Sequence, residues 1–158
     1  MRLLLLASLL FFTHIANSAT LTAHSRNVGV KLSSASIGDE DYTVAGASFS
    51  YFVADNLSLG TAYEYWFSGS PSVSKITLDS TYFIPASEKI RPYLGLLYNH
   101  YFVGDNSDID SYGYRAGVAY IQEPMLLSAG IRQEKYMSDR SIFSNDDTTA
   151  EFVVGFSF

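Results

Sequence analysis

The sequence contains no cysteine among its 158 residues, so it offers no disulfide framework and no lipoprotein anchor of the cysteine-linked kind. Positive charge is also scarce. Ten Lys and Arg residues stand against sixteen Asp and Glu residues, which gives a formal net charge of −6. An acidic balance of this kind argues against nucleic acid as a partner.

Long apolar runs are missing after the first twenty residues. No later stretch approaches the roughly 20 consecutive apolar residues that a membrane-spanning helix needs. If the mature protein lies in a membrane, we therefore expect it to cross with β-strands.

The first residues have the composition of a secretory signal peptide. Met1-Arg2 makes a short basic start, residues 3–12 are almost entirely apolar, and Ala16-Asn17-Ser18-Ala19 supplies small residues. This order predicts a signal peptide over residues 1–19, cleaved near Ser18 or Ala19, and a mature domain over residues 20–158. The alternative, a membrane-anchoring helix, is disfavoured because the apolar run is too short to span comfortably.

Eight segments of the mature chain alternate apolar residues with small or polar ones. A spacing of two is the period of a β-strand, so each segment presents one apolar face and one polar face. Each is close to the roughly 9 to 11 residues that a tilted strand needs to cross a bilayer. The predicted strands cover residues 24–33, 42–53, 57–67, 73–84, 90–103, 112–121, 126–136 and 149–158.

The connections between these segments are expected to alternate in length. Short turns follow strands 2, 4 and 6, and mostly longer polar loops follow strands 1, 3, 5 and 7, as in outer-membrane barrels. Aromatic residues gather near the strand ends, where lipid meets water. We therefore predict an all-β fold, an eight-stranded antiparallel up-and-down transmembrane β-barrel. A soluble barrel of the lipocalin type is the alternative fold.

The last strand is the most regular segment. Ala150, Phe152, Val154, Phe156 and Phe158 form one apolar row, and smaller, more polar residues form the other. On these features the mature chain resembles the small eight-stranded outer-membrane barrels of the OmpA/OmpX type.

The resemblance implies export to the outer membrane of a Gram-negative bacterium, with both termini periplasmic. It also implies that Phe152, Val154, Phe156 and Phe158 act as the signal read by the outer-membrane assembly machinery. Expected partners are outer-membrane lipids and lipopolysaccharide, and the barrel is expected to be a monomer.

Charged residues recur on the row that faces the barrel lumen. Four are basic and four acidic, and unpaired charges in an interior cost several kcal/mol each, so we predict one ion-pair network. An eight-stranded barrel is just wide enough for its side chains to fill it, which favours a largely filled lumen. The alternative is a narrow pore for ions or small solutes, gated by Glu64, Arg115 and Arg132. The predicted network comprises Lys31, Glu64, Lys75, Asp79, Arg115, Arg132, Glu134 and Glu151.

Two further features bear on function. The external loops are acidic and could bridge to lipopolysaccharide phosphates through Ca²⁺ or Mg²⁺, although simple solubility explains them as well. His100 is expected on the lipid-facing side, where a lipid A-modifying enzyme would carry a Ser and a His. No Ser lies two positions away on the same strand, so the sequence favours a non-enzymatic structural or surface-interaction protein without cofactor or metal.

Overall fold

The structure, a computed structural model, describes residues 21–37, 40–69, 71–104, 108–137 and 146–158. The predicted signal peptide over residues 1–19 lies outside the described residues, as do Asp39, Asp105 and Asp139 of the acidic loops. The described residues contain no helix that is long and apolar enough to cross a membrane.

Eight strands form one closed antiparallel barrel in which each strand pairs with its neighbours in sequence and the last pairs with the first. The predicted all-β, eight-stranded antiparallel up-and-down barrel is confirmed. The strands are β1 (Arg26–Ile37), β2 (Glu40–Ala54), β3 (Leu57–Phe67), β4 (Val73–Phe83), β5 (Ile90–Val103), β6 (Ile109–Gln122), β7 (Met125–Tyr136) and β8 (Asp146–Ser157).

Each strand alternates between the lumen and the outer surface. In β3, Glu64 and Trp66 are buried, whereas Tyr63, Tyr65 and Phe67 are exposed on the outside. The same alternation continues around the barrel and places aromatic side chains on the outer surface near the strand ends. Those exposed outside include Tyr63, Tyr65, Phe67, Tyr82, Tyr98, Phe102, Tyr112, Tyr114, Tyr120, Phe156 and Phe158.

Several strands are longer than the sequence predicted. The loop expected over residues 34–41 is wrong, because β1 continues to Ile37 and β2 begins at Glu40. Ala35 and Tyr42 pair across these two strands and both side chains are buried, so inward burial extends the hairpin into a segment of polar composition. Similarly, β6 begins at Ile109, whose side chain packs inside the barrel.

The two ends of the barrel also differ less sharply than expected. We call the end that carries the connections after β2, β4 and β6 the turn end, and the opposite end the loop end. At the turn end, residues 55–56 and 123–124 make tight turns, but the β4–β5 connection spans residues 84–89. At the loop end, only residues 38–39 separate β1 from β2, because those strands extend into the predicted loop.

Candidate functional site in the barrel lumen

The lumen contains a charged layer between two apolar layers. The loop-end apolar layer includes Trp66, Tyr101 and Tyr136, and the turn-end apolar layer includes Phe52 and Phe83. All eight residues of the predicted ion-pair network lie in the charged layer, between the two apolar layers, and take part in salt bridges. Because apolar side chains lie on both sides of this layer, its charges have to be satisfied largely by one another.

Glu64 on β3 holds three cations. Its carboxylate lies 3.0 Å from Lys31 Nζ, 2.9 Å from Lys75 Nζ and 3.2 Å from Arg132 Nη1. Its side chain is 1% exposed, and that of Lys75 is not exposed at all. Because three different strands supply the cations, this one carboxylate ties β1, β4 and β7 across the lumen.

Glu134 on β7 is the most fully satisfied member. One oxygen lies 2.6 Å from Arg132 Nε and 3.5 Å from Lys75 Nζ. The other oxygen accepts hydrogen bonds from the Asn99 amide, the Tyr101 hydroxyl and the Ser111 hydroxyl. The Glu134 carboxylate thus has two cations and three hydrogen-bond donors as partners. A rigid polar core requires that its buried charged groups be paired in this way.

Glu151 and Arg115 extend the network toward the turn end. The Glu151 carboxylate lies 3.8 Å from Lys31 Nζ, 4.0 Å from Arg132 Nη1 and 3.6 Å from Arg115 Nη1. Arg115 Nη2 also lies 3.0 Å from Asp79 Oδ2 and donates a hydrogen bond to Thr81 Oγ1. Through these contacts, Arg115 links Asp79 to the other six charged residues of the network.

A small cavity of about 50 Å³ adjoins Arg115 on the turn-end side of the charged layer. Lys31, Asp79 and several serine side chains contribute to its lining, and Phe52 and Phe83 lie at its apolar side. A water needs about 10 to 15 Å³ of such space, so the cavity has room for a few waters.

Glycines on neighbouring strands make room for the charged side chains. Gly46 pairs with Glu64, Gly60 with Asp79 and Gly95 with Arg115. A Cβ atom at residue 46 would lie 2.8 Å from Glu64 Cγ, and one at residue 60 would lie 2.7 Å from an Asp79 oxygen. These three glycines thus leave space for the larger side chains of the residues opposite them.

The sequence analysis missed the aromatic and amide parts of the lumen. Tyr93, Leu97 and Tyr101 interrupt the polar row of β5, and all three prove to be buried inside the barrel. Asn99 lies between two of them and joins Thr77, Ser111 and Glu134 by hydrogen bonds. These four residues lie two or four positions apart in β5, so all of them point toward the lumen. This spacing could have identified them in the sequence as lumen residues.

His100 lies on the outer face of β5, as predicted, and is part-buried beside two carboxylates. Its Nδ1 atom is 2.7 Å from Asp110 Oδ1, and its Nε2 atom is 3.6 Å from Asp108 Oδ2. Its ring also packs edge-on against Phe102. Within the described ranges, no group of three or more His, Cys, Asp or Glu side chains is arranged to hold a metal ion.

Comparison with solved structures defines the class of fold. The structure is similar to the N-terminal β-barrel domain of Pseudomonas aeruginosa OprF, with 20% sequence identity, coverage of 86% of this chain and 98% of that chain, and a TM-score of 0.68. It is also similar to Neisserial surface protein A, with 18% identity, coverage of 84% and 94%, and a TM-score of 0.60. The fold is therefore that of the small eight-stranded transmembrane β-barrels of the OmpA/OmpX type, as the resemblance predicted.

The same comparison limits what the fold says about function. A de novo designed transmembrane β-barrel matches with 13% identity, coverage of 87% of this chain and 98% of that chain, and a TM-score of 0.60. No family model matches the sequence, and no curated protein matches it either. Since a designed barrel is as similar as a natural one, function has to be argued from the lumen and the surface.

Proposed function

We propose that this protein is a non-enzymatic structural or surface-interaction barrel of the bacterial outer membrane, with a lumen closed to solutes. The observation that carries the proposal is the layered lumen, in which paired charges lie between two apolar layers. Four cations and four carboxylates balance, and the hub residues Glu64, Lys75 and Arg132 are at most 2% exposed. A solute passing through would have to displace both apolar layers and several buried ion pairs, each costly to break.

The outer surface supports placement in a bilayer. Exposed large hydrophobic side chains line the middle of every strand, among them Val30, Leu78, Leu96 and Ile131. Phe152, Val154, Phe156 and Phe158 lie on the outer face of the last strand, where they remain our proposed assembly signal. Outer-membrane lipids and lipopolysaccharide are the proposed surroundings of this face.

The absence of cysteine allows a clean test of location and orientation. Ser72→Cys places a thiol at the exposed loop end, and Ser87→Cys places one at the exposed turn end. Both variants change serine to cysteine, so each is the other's control. We expect an impermeant maleimide to label Ser72→Cys in intact cells and to label Ser87→Cys only after the outer membrane is permeabilised.

Two other results would contradict the proposal. Equal labelling of both variants in intact cells would oppose the orientation, and recovery of the protein outside the outer-membrane fraction would oppose the location. A second test concerns folding: the barrel should resist SDS at room temperature and change its gel mobility only after boiling.

A narrow pore remains the second candidate because of the cavity beside Arg115. Arg115 is the most exposed cation of the network, with 14% of its side chain exposed, and it contacts two different carboxylates. Single-channel recording separates the two candidates, because a closed lumen predicts silence and a pore predicts discrete openings.

A further inference from the structure

A second cavity, of about 220 Å³, lies at the turn end of the barrel, and we call it the turn-end cavity. Its apolar side is formed by Leu21 and Ile121, which belong to the turn-end apolar layer. Its polar rim includes one exposed carboxylate from each of the three connections at this end, Asp55, Glu88 and Glu123. Because the rim residues are exposed, a ligand can reach this cavity from the aqueous phase.

Arg91, at the second position of β5, lines the turn-end cavity without a partner for its charge. Its Nε atom is buried and has no hydrogen-bond acceptor, and among the described residues its guanidinium forms no salt bridge. Buried donors in proteins are nearly always paired. The side of a guanidinium that carries Nε matches the two oxygens of a carboxylate or phosphate, so Arg91 is suited to bind an oxyanion.

Glu88 carries the opposite charge on the same cavity and is also unpaired. Within the part of the chain that the structure describes, it forms no salt bridge with Arg91 or with any other cation. Asp55 and Glu123 add two more carboxylates, of which Asp55 accepts a hydrogen bond from the backbone N–H of Ala23. The described lining thus carries three carboxylates against one guanidinium, which disfavours a ligand with negative charge alone.

We propose that the turn-end cavity binds a small basic amino acid, with the ligand carboxylate on Arg91 and an ammonium group on Glu88. Such a ligand carries one negative and two positive groups, so it complements the charges that line the cavity. At roughly 10 to 15 Å³ for each water, the space has room for a molecule of this size. Leu21 and Ile121 offer an apolar surface to its aliphatic stem. The site lies outside the layered lumen, so it does not depend on whether the lumen conducts.

Titration of the ¹⁵N-labelled, refolded barrel with lysine, followed by its backbone amide NMR signals, tests the site. We expect the signals of Asn56, Glu88 and Arg91 to shift, with half-saturation at about millimolar lysine because the ligand is small. Acetate offers only the oxyanion and cadaverine only the ammonium groups, so each should bind several-fold more weakly. Unshifted signals, or binding of either fragment as tight as that of lysine, would overturn the proposal.

Substitution of the two unpaired residues tests their roles. Arg91→Gln and Glu88→Gln each remove one charge-assisted contact, so each should weaken lysine binding about ten-fold or more. Lys89→Gln is the control, because Lys89 is exposed and does not line the cavity, and it should change the affinity by less than about two-fold. Only protein that shows folded mobility before boiling is compared. Wild-type affinity in folded Arg91→Gln would refute the site.

Discussion

The inward and outward faces of β4 differ in chemistry although their residues alternate along one strand. Lys75, facing inward, is fully buried among Glu64, Glu134 and the Tyr101 ring. Ile76 and Leu78, facing outward, are 40% and 56% exposed. The inner face thus depends on specific partners for each charge, whereas the outer face depends only on being apolar.

Removing a cation from the charged layer should have the largest effect. Arg132→Ala leaves Glu64, Glu134 and Glu151 short of positive charge, so we expect the free energy of unfolding to fall by about 3 to 5 kcal/mol. Urea unfolding in phospholipid vesicles, followed by fluorescence of the single tryptophan, Trp66, measures the loss. Arg26→Ala, at an exposed position, is the control and should change stability by at most about 0.5 kcal/mol. Equal effects of the two variants would contradict the network.

Placing a charge on the outer face should have the next largest effect. Leu78→Arg puts a cation at the middle of the proposed lipid band and should cost about 2 to 4 kcal/mol. Met137→Arg, on an exposed residue just beyond β7 at the loop end, should cost at most about 1 kcal/mol because the penalty depends on depth. A tolerated Leu78→Arg in vesicles would mean that this face does not meet lipid.

Adding a methyl group at a lumen-facing glycine probes how tightly the inner face is packed. In Gly46→Ala the new Cβ would lie 2.4 Å from the Tyr63 carbonyl oxygen, which is backbone and cannot swing away. We expect a loss of about 1 to 3 kcal/mol. Gly155→Ala is the matched control, because its nearest neighbour would be at an ordinary 3.5 Å. If both substitutions lower the free energy of unfolding equally little, the space left by Gly46 is not needed to accommodate the charged side chains.

Removing one hydroxyl from the lumen should have the smallest effect of the four. Tyr101→Phe deletes a hydrogen bond to Glu134 but leaves those from Asn99 and Ser111, so we expect a loss of about 1 kcal/mol. Tyr63→Phe removes a hydroxyl from the exposed outer face and should be close to neutral. A larger effect for Tyr63 than for Tyr101 would reverse the comparison between the faces.

Much of this fold could be predicted because one pattern carries it. In β3 the alternation is nearly perfect, and its predicted bounds agree with the observed Leu57–Phe67. Parity alone also indicated which charged residues would face inward, since a strand sends alternate side chains to opposite faces.

The remainder depends on partners that are distant in sequence. Strand ends in β1, β2 and β6 were misplaced because burial of Ala35, Tyr42 and Ile109 prevails over polar composition. The two apolar layers were missed because, in the sequence, Trp66 and Tyr101 look like interruptions of a polar row. In the structure both side chains point inward and pack against each other, with ring centroids 5.9 Å apart. Likewise, the pairing of Gly46 with Glu64 depends on a register that composition does not reveal.

Single-channel recording of the refolded protein in a planar bilayer tests the closed lumen most directly. The account predicts silence from the wild-type protein at a voltage that opens small pores, because both apolar layers and the ion pairs of Glu64 block the lumen. Discrete openings of the wild-type protein, with a conductance altered by Arg132→Ala, would contradict it and make the charged layer a gate.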